Sequence, residues 1–139
     1  MFLGSWGLLH FDISNDKIFP ERNNDESHFY KLEDGTKPAG KFINSIEDLK
    51  LRAKVIRSVK LLEEFGYGLE MPDSKHLEDG IFELRSIQET NIARCLYFFT
   101  VGDTAIVTNG IVKKEQKTPP GVKALAKKYR ADYERRYGK

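Results

Sequence analysis

The sequence predicts an α+β domain in the order β-α-α-β-β-β-α, with helices packed on an antiparallel sheet. Three observations lead to this prediction. Apolar residues recur at helical spacing over residues 38–65 with one short joint, which indicates an N-terminal helical hairpin. Residues 81–112 alternate with period two between turn signals, which indicates three strands, and a proline-led C-terminal helix follows from residue 118.

The 139 residues suit one domain, 27–139, preceded by an N-terminal extension, 1–26. In the extension, Leu8–Ile13 and Lys17–Phe19 flank a turn-like Ser-Asn-Asp, a pattern that predicts a hairpin. Ser27–Leu32 alternates in character and predicts the first strand of the domain.

The two helices of the hairpin begin at recognisable signals. Pro38 stands in a first turn, where its missing N–H needs no partner, and this helix is predicted to run to Ile46. Ser45 and Asp48 have the spacing of a capping box and predict the start of the second helix, which Gly66 ends. The apolar stripe of the second helix is predicted to consist of Leu49, Ala53, Ile56, Val59 and Leu62.

The strands are predicted at Ile81–Ile87, Ile92–Val101 and Thr104–Val112, which are rich in β-branched and aromatic residues. They form an antiparallel meander because short turn signals separate them. The apolar side of the last helix is predicted to hold Val122, Leu125, Ala126, Tyr129, Tyr133 and Tyr137.

Composition and motifs exclude several classes of protein. No apolar run reaches the roughly 20 residues of a membrane span, so a soluble, cytoplasmic protein is expected. The single cysteine, Cys95, excludes an internal disulfide and lies mid-strand as a small buried hydrophobe. His10, His28 and His76 lack metal-ligand spacing, and Gly66-Tyr67-Gly68 lacks the Lys-Ser/Thr of a P-loop. Neither a metal nor a cofactor is expected.

The formal net charge of +2 hides a gradient along the chain. Residues 1–36 carry three basic and seven acidic side chains, whereas residues 113–139 carry ten basic and three acidic ones, a net of +7. Such a positive end favours a polyanionic partner. A solvated helix face explains the charge density equally well.

Several cations fall on the predicted strands and their ends. Strand alternation puts Glu83 and Arg85 on the face opposite Phe82 and Leu84, and Arg94 on the face of Leu96. A cross-strand ion pair at the sheet surface is the structural alternative to a binding role, and the pattern alone favours it.

Three segments in order carry a family resemblance: Lys75–Arg85 with its final Glu-Leu-Arg, Asn91–Arg94 followed by Leu96–Phe99, and Val112–Pro119 with Lys-Lys-Glu-Gln-Lys-Thr-Pro. Together they resemble the HigB-like, phage-derived branch of the RelE/ParE toxin superfamily. The resemblance covers residues 27–136. It implies a RelE-like fold and the toxin of a type II toxin–antitoxin pair.

The resemblance also implies an activity, partners and site residues. Family members are metal-independent endoribonucleases, or mRNA interferases, that cleave message on the translating ribosome and so block translation. A neighbouring antitoxin with a helix-turn-helix DNA-binding domain restrains them. The implied catalytic residues are Arg85, which clamps the phosphate, and Lys113, Lys114 and Lys117. Those that would contact RNA are Lys75, His76, Arg94, Lys123 and Lys127.

Two other functions stay open. ParE-like relatives share the fold but inhibit DNA gyrase without catalysis, which would make the basic C-terminal helix a protein-binding element. The third possibility is a degenerate member of the family that still binds RNA but no longer cleaves it.

Overall fold

The computed structural model of the protein describes residues 28–66, 74–114 and 117–138. In chain order its elements are α1 (Pro38–Ser45), α2 (Leu49–Phe65), β1 (Ser74–Glu78), β2 (Ile81–Gln88), β3 (Asn91–Phe99), β4 (Ala105–Lys113) and α3 (Pro120–Tyr137). The strands form one antiparallel sheet in sequential order. The predicted α+β fold, with its N-terminal helical hairpin and C-terminal helix, is therefore confirmed. The hairpin predicted within residues 1–26 lies outside the described residues.

The sheet separates two apolar clusters because successive side chains of a strand point to opposite faces. Leu84, Cys95 and Val107 pack with α1 and α2 on one face. Leu96 and Ile106 pack with α3 on the other face. The face covered by α3 also carries the charged strand residues, so the position of α3 determines which of them reach solvent.

The segment before α1 is shorter as a strand than predicted. Of the proposed strand Ser27–Leu32, the described part forms only one parallel bridge, between Phe29 and Val107. The Tyr30 N–H donates to the Val107 carbonyl at 2.9 Å, and Leu32 already belongs to the following turn. The predicted alternation is correct, since Phe29 and Tyr30 enter different clusters.

The strand β1 was not predicted, because its sequence, Ser-Lys-His-Leu-Glu, is short and polar. Lys75 and His76 precede the first strand of the predicted meander, Ile81–Ile87, and so were not expected in the sheet. Both instead pair with β2, where Lys75 lies opposite Glu83. As an edge strand, β1 needs a backbone partner on one side only, so apolar alternation is not required there.

The start of α2 also differs from the prediction. The Asp48 carboxylate accepts hydrogen bonds from two backbone N–H groups of the first turn, at 3.0 and 3.2 Å, so Asp48 is the N-cap. The predicted capping box is wrong, because the Ser45 hydroxyl donates to a backbone carbonyl of α1. Leu49 is 67% exposed and Ala53 is exposed. The buried residues of α2 are Leu51, Val55, Ile56, Val59 and Leu62.

The C-terminal helix packs through its aromatic side, as predicted. The ring of Tyr129 stacks on Tyr30 with centroids 4.5 Å apart, and Tyr133 meets Phe98 edge-on at 5.6 Å. Two residues predicted on this side, Leu125 and Tyr137, are instead exposed. None of the helices in the described ranges has the length and apolar character needed to cross a bilayer.

Candidate nucleic-acid interface

Two arginines meet on the face of the sheet that α3 covers. Arg85 of β2 lies directly opposite Arg94 of β3 in the strand register. The side chain of Arg94 is fully buried, whereas that of Arg85 keeps 23% of its surface exposed. The alternation of the strands predicted this shared face, and the register brings the two residues together. Like charges directly opposite each other destabilise a sheet, so this pair needs a compensating anion.

Glu83 is that anion. Only 1% of the surface of Glu83 is exposed. Its Oε2 lies 3.7 Å from Nε of Arg85, and its Oε1 lies 3.5 Å from Nε of Arg94. The predicted structural alternative, an ion pair at the sheet, is therefore present and includes both arginines. A buried carboxylate between two guanidinium groups neutralises part of their charge and restrains both.

The chain entering α3 closes over this group. The Thr118 hydroxyl donates a hydrogen bond to Oε1 of Glu83, and Thr118 is itself buried. One turn further on, Nδ2 of Asn109 donates to the Val122 carbonyl at 3.2 Å. These two bonds hold the first turn of α3 against β2 and β4. The positive end of the helix dipole therefore lies near the Glu83 carboxylate.

Three lysines lie in the chain between the end of β4 and the start of α3. Lys113 is the last residue of β4 and lies opposite Ile92, which puts it on the same face as Arg94. Lys114 follows it, and Lys117 precedes Thr118. All three are exposed, and none forms an ion pair with a described residue.

Lys75 also belongs to this face, because its register partner on β2 is Glu83. It is exposed on the edge strand. We call the set of Lys75, Arg85, Lys113, Lys114 and Lys117 the basic patch; it extends across the sheet from the edge strand β1 to the end of β4 and the segment before α3. Arg94 lies beneath this patch and does not reach its surface, so its predicted contact with RNA does not fit the observed burial.

Two further lysines predicted to contact RNA are engaged elsewhere. Nζ of Lys127 lies 2.6 Å from Glu78 and 2.9 Å from Asp79, and Nζ of Lys123 lies 3.2 Å from Glu78. Hydrogen bonds from these lysines lower the pKa of Glu78, and its carboxylate in turn raises the pKa of Lys127. These ion pairs attach α3 to the β1–β2 turn, so both ammonium groups are already engaged within the protein.

His76 does not join the basic patch. It pairs with Phe82, a residue of the α1/α2 side, and their rings meet edge-on with centroids 5.0 Å apart. Its Nε2 accepts a hydrogen bond from the Gly80 N–H at 3.1 Å. The contacts of His76 are therefore those of a turn-stabilising residue on the opposite face.

Other candidate chemistry is weaker. Cys95 is buried, and this burial raises the pKa of its thiol to about 12, which disfavours the reactive thiolate. Among the described residues, no three His, Cys, Asp or Glu side chains are grouped closely enough to hold a metal ion.

The sequence did not predict that Glu83 and Thr118 contact each other. The available signal was a glutamate two residues before Arg85, on the same face.

An open groove of about 560 Å³ lies at the joint of α1 and α2. Glu47 and Asp48 line it together with Phe42, Asn91 and Gly110. A Cβ on Gly110 would come within 2.5 Å of the Phe42 ring, so glycine is required for this packing. The two acidic residues disfavour a phosphate in this groove, which leaves the basic patch as the candidate anion site.

Comparison with known proteins identifies the family. No curated protein matches the sequence. The model of the family described as phage derived protein Gp49-like (DUF891) matches residues 41–131, which span most of α1, all of α2 and the sheet, and two thirds of α3. The match covers more than half of the chain. The protein therefore belongs to the Gp49-like family of phage derived proteins, a family associated with toxin–antitoxin systems.

Proposed function

We propose that this protein is the toxin of a type II toxin–antitoxin pair and that it cleaves messenger RNA on the ribosome, in the cytoplasm. The family assignment supports the toxin role. The basic patch supports an RNA substrate, because cations gathered on one face attract a phosphate backbone and release its counterions. The observation that carries the proposal is the partly exposed Arg85, which lies beside a buried Glu83 and Arg94 on the sheet face that also carries the exposed Lys75 and Lys113.

The proposed reaction is transfer within the RNA. The ribose 2′-oxygen forms a bond to the adjacent phosphorus and loses its proton to water, while the bond from phosphorus to the 5′-oxygen breaks and that oxygen takes up a proton. The products are a 2′,3′-cyclic phosphate and a 5′-hydroxyl. Negative charge grows on the phosphoryl oxygens, where fixed cations stabilise the transition state.

The residues divide this work by their chemistry. Arg85 binds two phosphoryl oxygens, since its guanidinium is planar and always charged. Lys114 stabilises the transition state or protonates the leaving oxygen, and Lys113 and Lys117 support it. Ile87, which is 46% exposed two residues after Arg85, offers an apolar surface to a ribose or base.

The proposed partner is an antitoxin with a helix-turn-helix DNA-binding domain and a second segment that covers the basic patch. An acidic or apolar segment suits this surface, because carboxylates would pair with the exposed lysines and apolar groups with Ile87. Covering the patch would exclude RNA and so neutralise the toxin.

The experiment adds purified protein to translating ribosomes and maps new ends on the message. The proposal predicts fragments with a 5′-hydroxyl and a cyclic phosphate, and a Lys114→Ala variant that produces fewer of them. DNA gyrase supercoiling is measured with the same preparation. Intact message together with inhibited supercoiling would contradict the proposal and favour the ParE-like function.

A further inference from the structure

We propose that Glu83 is a positioning residue of this site, acting through Arg85 and through the start of α3. Its effect on cleavage rests on the proposed function, but its effect on Arg85 does not. Nothing in the sequence pattern assigns Glu83 more than a surface ion pair. The argument begins from the fact that this carboxylate contacts three separate segments of the chain.

The two oxygens of Glu83 have different partners. Oε1 accepts the hydrogen bond from the Thr118 hydroxyl and faces Nε of Arg94 at 3.5 Å. Oε2 faces Nε of Arg85 at 3.7 Å. One carboxylate thus joins β2, β3 and the segment entering α3.

Burial makes this arrangement restrictive. Glu83 is 1% exposed and the side chain of Arg94 is fully buried, so water does not screen their interaction. A buried charge that loses its partner is strongly unfavourable. Arg94 therefore fixes the carboxylate from below, and the carboxylate in turn restrains the partly exposed Arg85.

Oε2 of Glu83 is 3.7 Å from Nε of Arg85, which is beyond hydrogen-bond length, so the carboxylate acts on the guanidinium by charge attraction. This attraction favours orientations that keep Nε beside Glu83, and the orientation determines how the terminal nitrogens address a phosphate. Catalytic groups must lie within fractions of an ångström of their productive position. The bond from Thr118 also sets the position of Lys117, its neighbour in the chain. Glu83 thus couples two parts of the basic patch.

The first test is Glu83→Gln, which keeps the size of the side chain and an acceptor oxygen for Thr118 but removes the charge. We expect kcat on ribosome-bound message to fall by about 10- to 100-fold. The affinity for a short RNA should stay the same or rise, because a negative charge beside the patch is lost. Glu78→Gln is the matched control, since Glu78 also pairs with two cations on this side of the sheet. It should leave kcat unchanged.

The second test does not depend on nuclease activity. The Nε–Hε group of Arg85 is followed by NMR in the full chain. We expect hydrogen exchange at this group to become at least about tenfold faster in Glu83→Gln than in the parent, and to remain unchanged in Glu78→Gln. Unchanged exchange in Glu83→Gln would overturn the positioning role. Absence of cleavage by the parent protein would overturn the proposed function alone.

A pair of variants at Thr118 separates positioning from folding. Thr118→Val removes the hydroxyl donor at nearly constant shape, whereas Thr118→Ser keeps it. We expect Thr118→Val to have a lower kcat and faster hydrogen exchange at Arg85 than the parent. Thr118→Ser should have values of both quantities close to those of the parent. If the two variants had the same kcat and the same exchange rate at Arg85, the proposal would be overturned. This test applies even if the Glu83→Gln variant does not fold.

Discussion

The two ends of α3 are both rich in basic residues, but they use them differently. Near its first turn, Lys113, Lys114 and Lys117 are exposed and form no ion pair with a described residue. In its second half, Arg130 donates to the Asp79 carbonyl, and Arg136 donates to the Lys31 carbonyl. The difference teaches that charge density along the sequence does not identify the cations that a ligand can reach.

One carboxylate, that of Asp132, joins several of the groups at the C-terminal end of α3. Asp132 accepts a hydrogen bond from the buried Tyr30 hydroxyl at 2.5 Å and pairs with Arg136 at 2.8 Å and with Arg135. The Arg136 guanidinium also lies 5.5 Å from the centre of the Tyr30 ring. The pairs with Arg135 and Arg136 lie within α3, so the contacts of Asp132 and Arg136 with Tyr30 and the Lys31 carbonyl are the ones that attach this end of the helix to the segment before α1.

The largest expected effect is that of Arg85→Ala. Removing the guanidinium that is proposed to bind the phosphate should lower kcat by about 10²- to 10³-fold in the ribosome cleavage assay, as loss of one transition-state donor does elsewhere. Arg135→Ala is the matched control at the other end of α3, where the side chain is 64% exposed. It should cleave at the rate of the parent. Equal cleavage rates for Arg85→Ala and Arg135→Ala would contradict the distinction between the two ends of α3.

A smaller effect is expected for the lysines. Lys114→Ala and Lys117→Ala should each weaken binding of a short RNA and lower the slope of log affinity against log salt by about 1. Lys128→Ala, which removes an exposed lysine in the middle of α3, is the control. Fluorescence anisotropy at several salt concentrations measures the slopes. A loss of slope at Lys128 as large as at Lys114 would contradict the account.

Acid should loosen the C-terminal end of α3. The hydrogen bond from Tyr30, followed by those from Arg135 and Arg136, lowers the pKa of Asp132 from 3.8 to about 2. Because the folded-state pKa is the lower one, this stabilisation is complete above about pH 4 and is lost as pH falls through about 2. Asp132→Asn should lack that component in acid unfolding followed by circular dichroism. An identical acid profile for the variant would contradict it.

The smallest effect is expected at Lys127. Its pairs with Glu78 and Asp79 are about one third exposed or more, and such pairs contribute little to stability. Lys127→Ala should lower the unfolding midpoint slightly and leave RNA affinity unchanged. Urea denaturation and the anisotropy assay measure the two quantities. A clear loss of RNA affinity would return Lys127 to the interface.

Much of the fold follows from local patterns. The strand signal in β2, β3 and β4 is strong, because each is rich in β-branched and aromatic residues and short turns join one strand to the next. The edge strand β1 carries no such pattern, since its polar residues are tolerated at an edge. The start of α2 was missed for a similar reason: Ser45 and Asp48 are both good capping residues, and only the backbone path decides between them.

The site was predictable in part. Alternation alone puts Arg85 and Arg94 on one face, but that they lie directly opposite depends on the register of two strands. The contact between Glu83 and Thr118 joins residues 35 positions apart, which no local pattern contains. In the same way, Lys127 resembles an exposed helix lysine until the β1–β2 turn supplies Glu78 and Asp79.

The most direct test of the central claim maps the contact with RNA. Isotope-labelled protein is titrated with a short 2′-deoxy oligonucleotide, which lacks the attacking hydroxyl and so is not cleaved. We predict NMR shift changes at Arg85, at residues 113–118 and at the first turn of α3, with little change over residues 130–137. Shift changes confined to residues 130–137 would show that the ligand binds the other end of the helix, and would contradict the account.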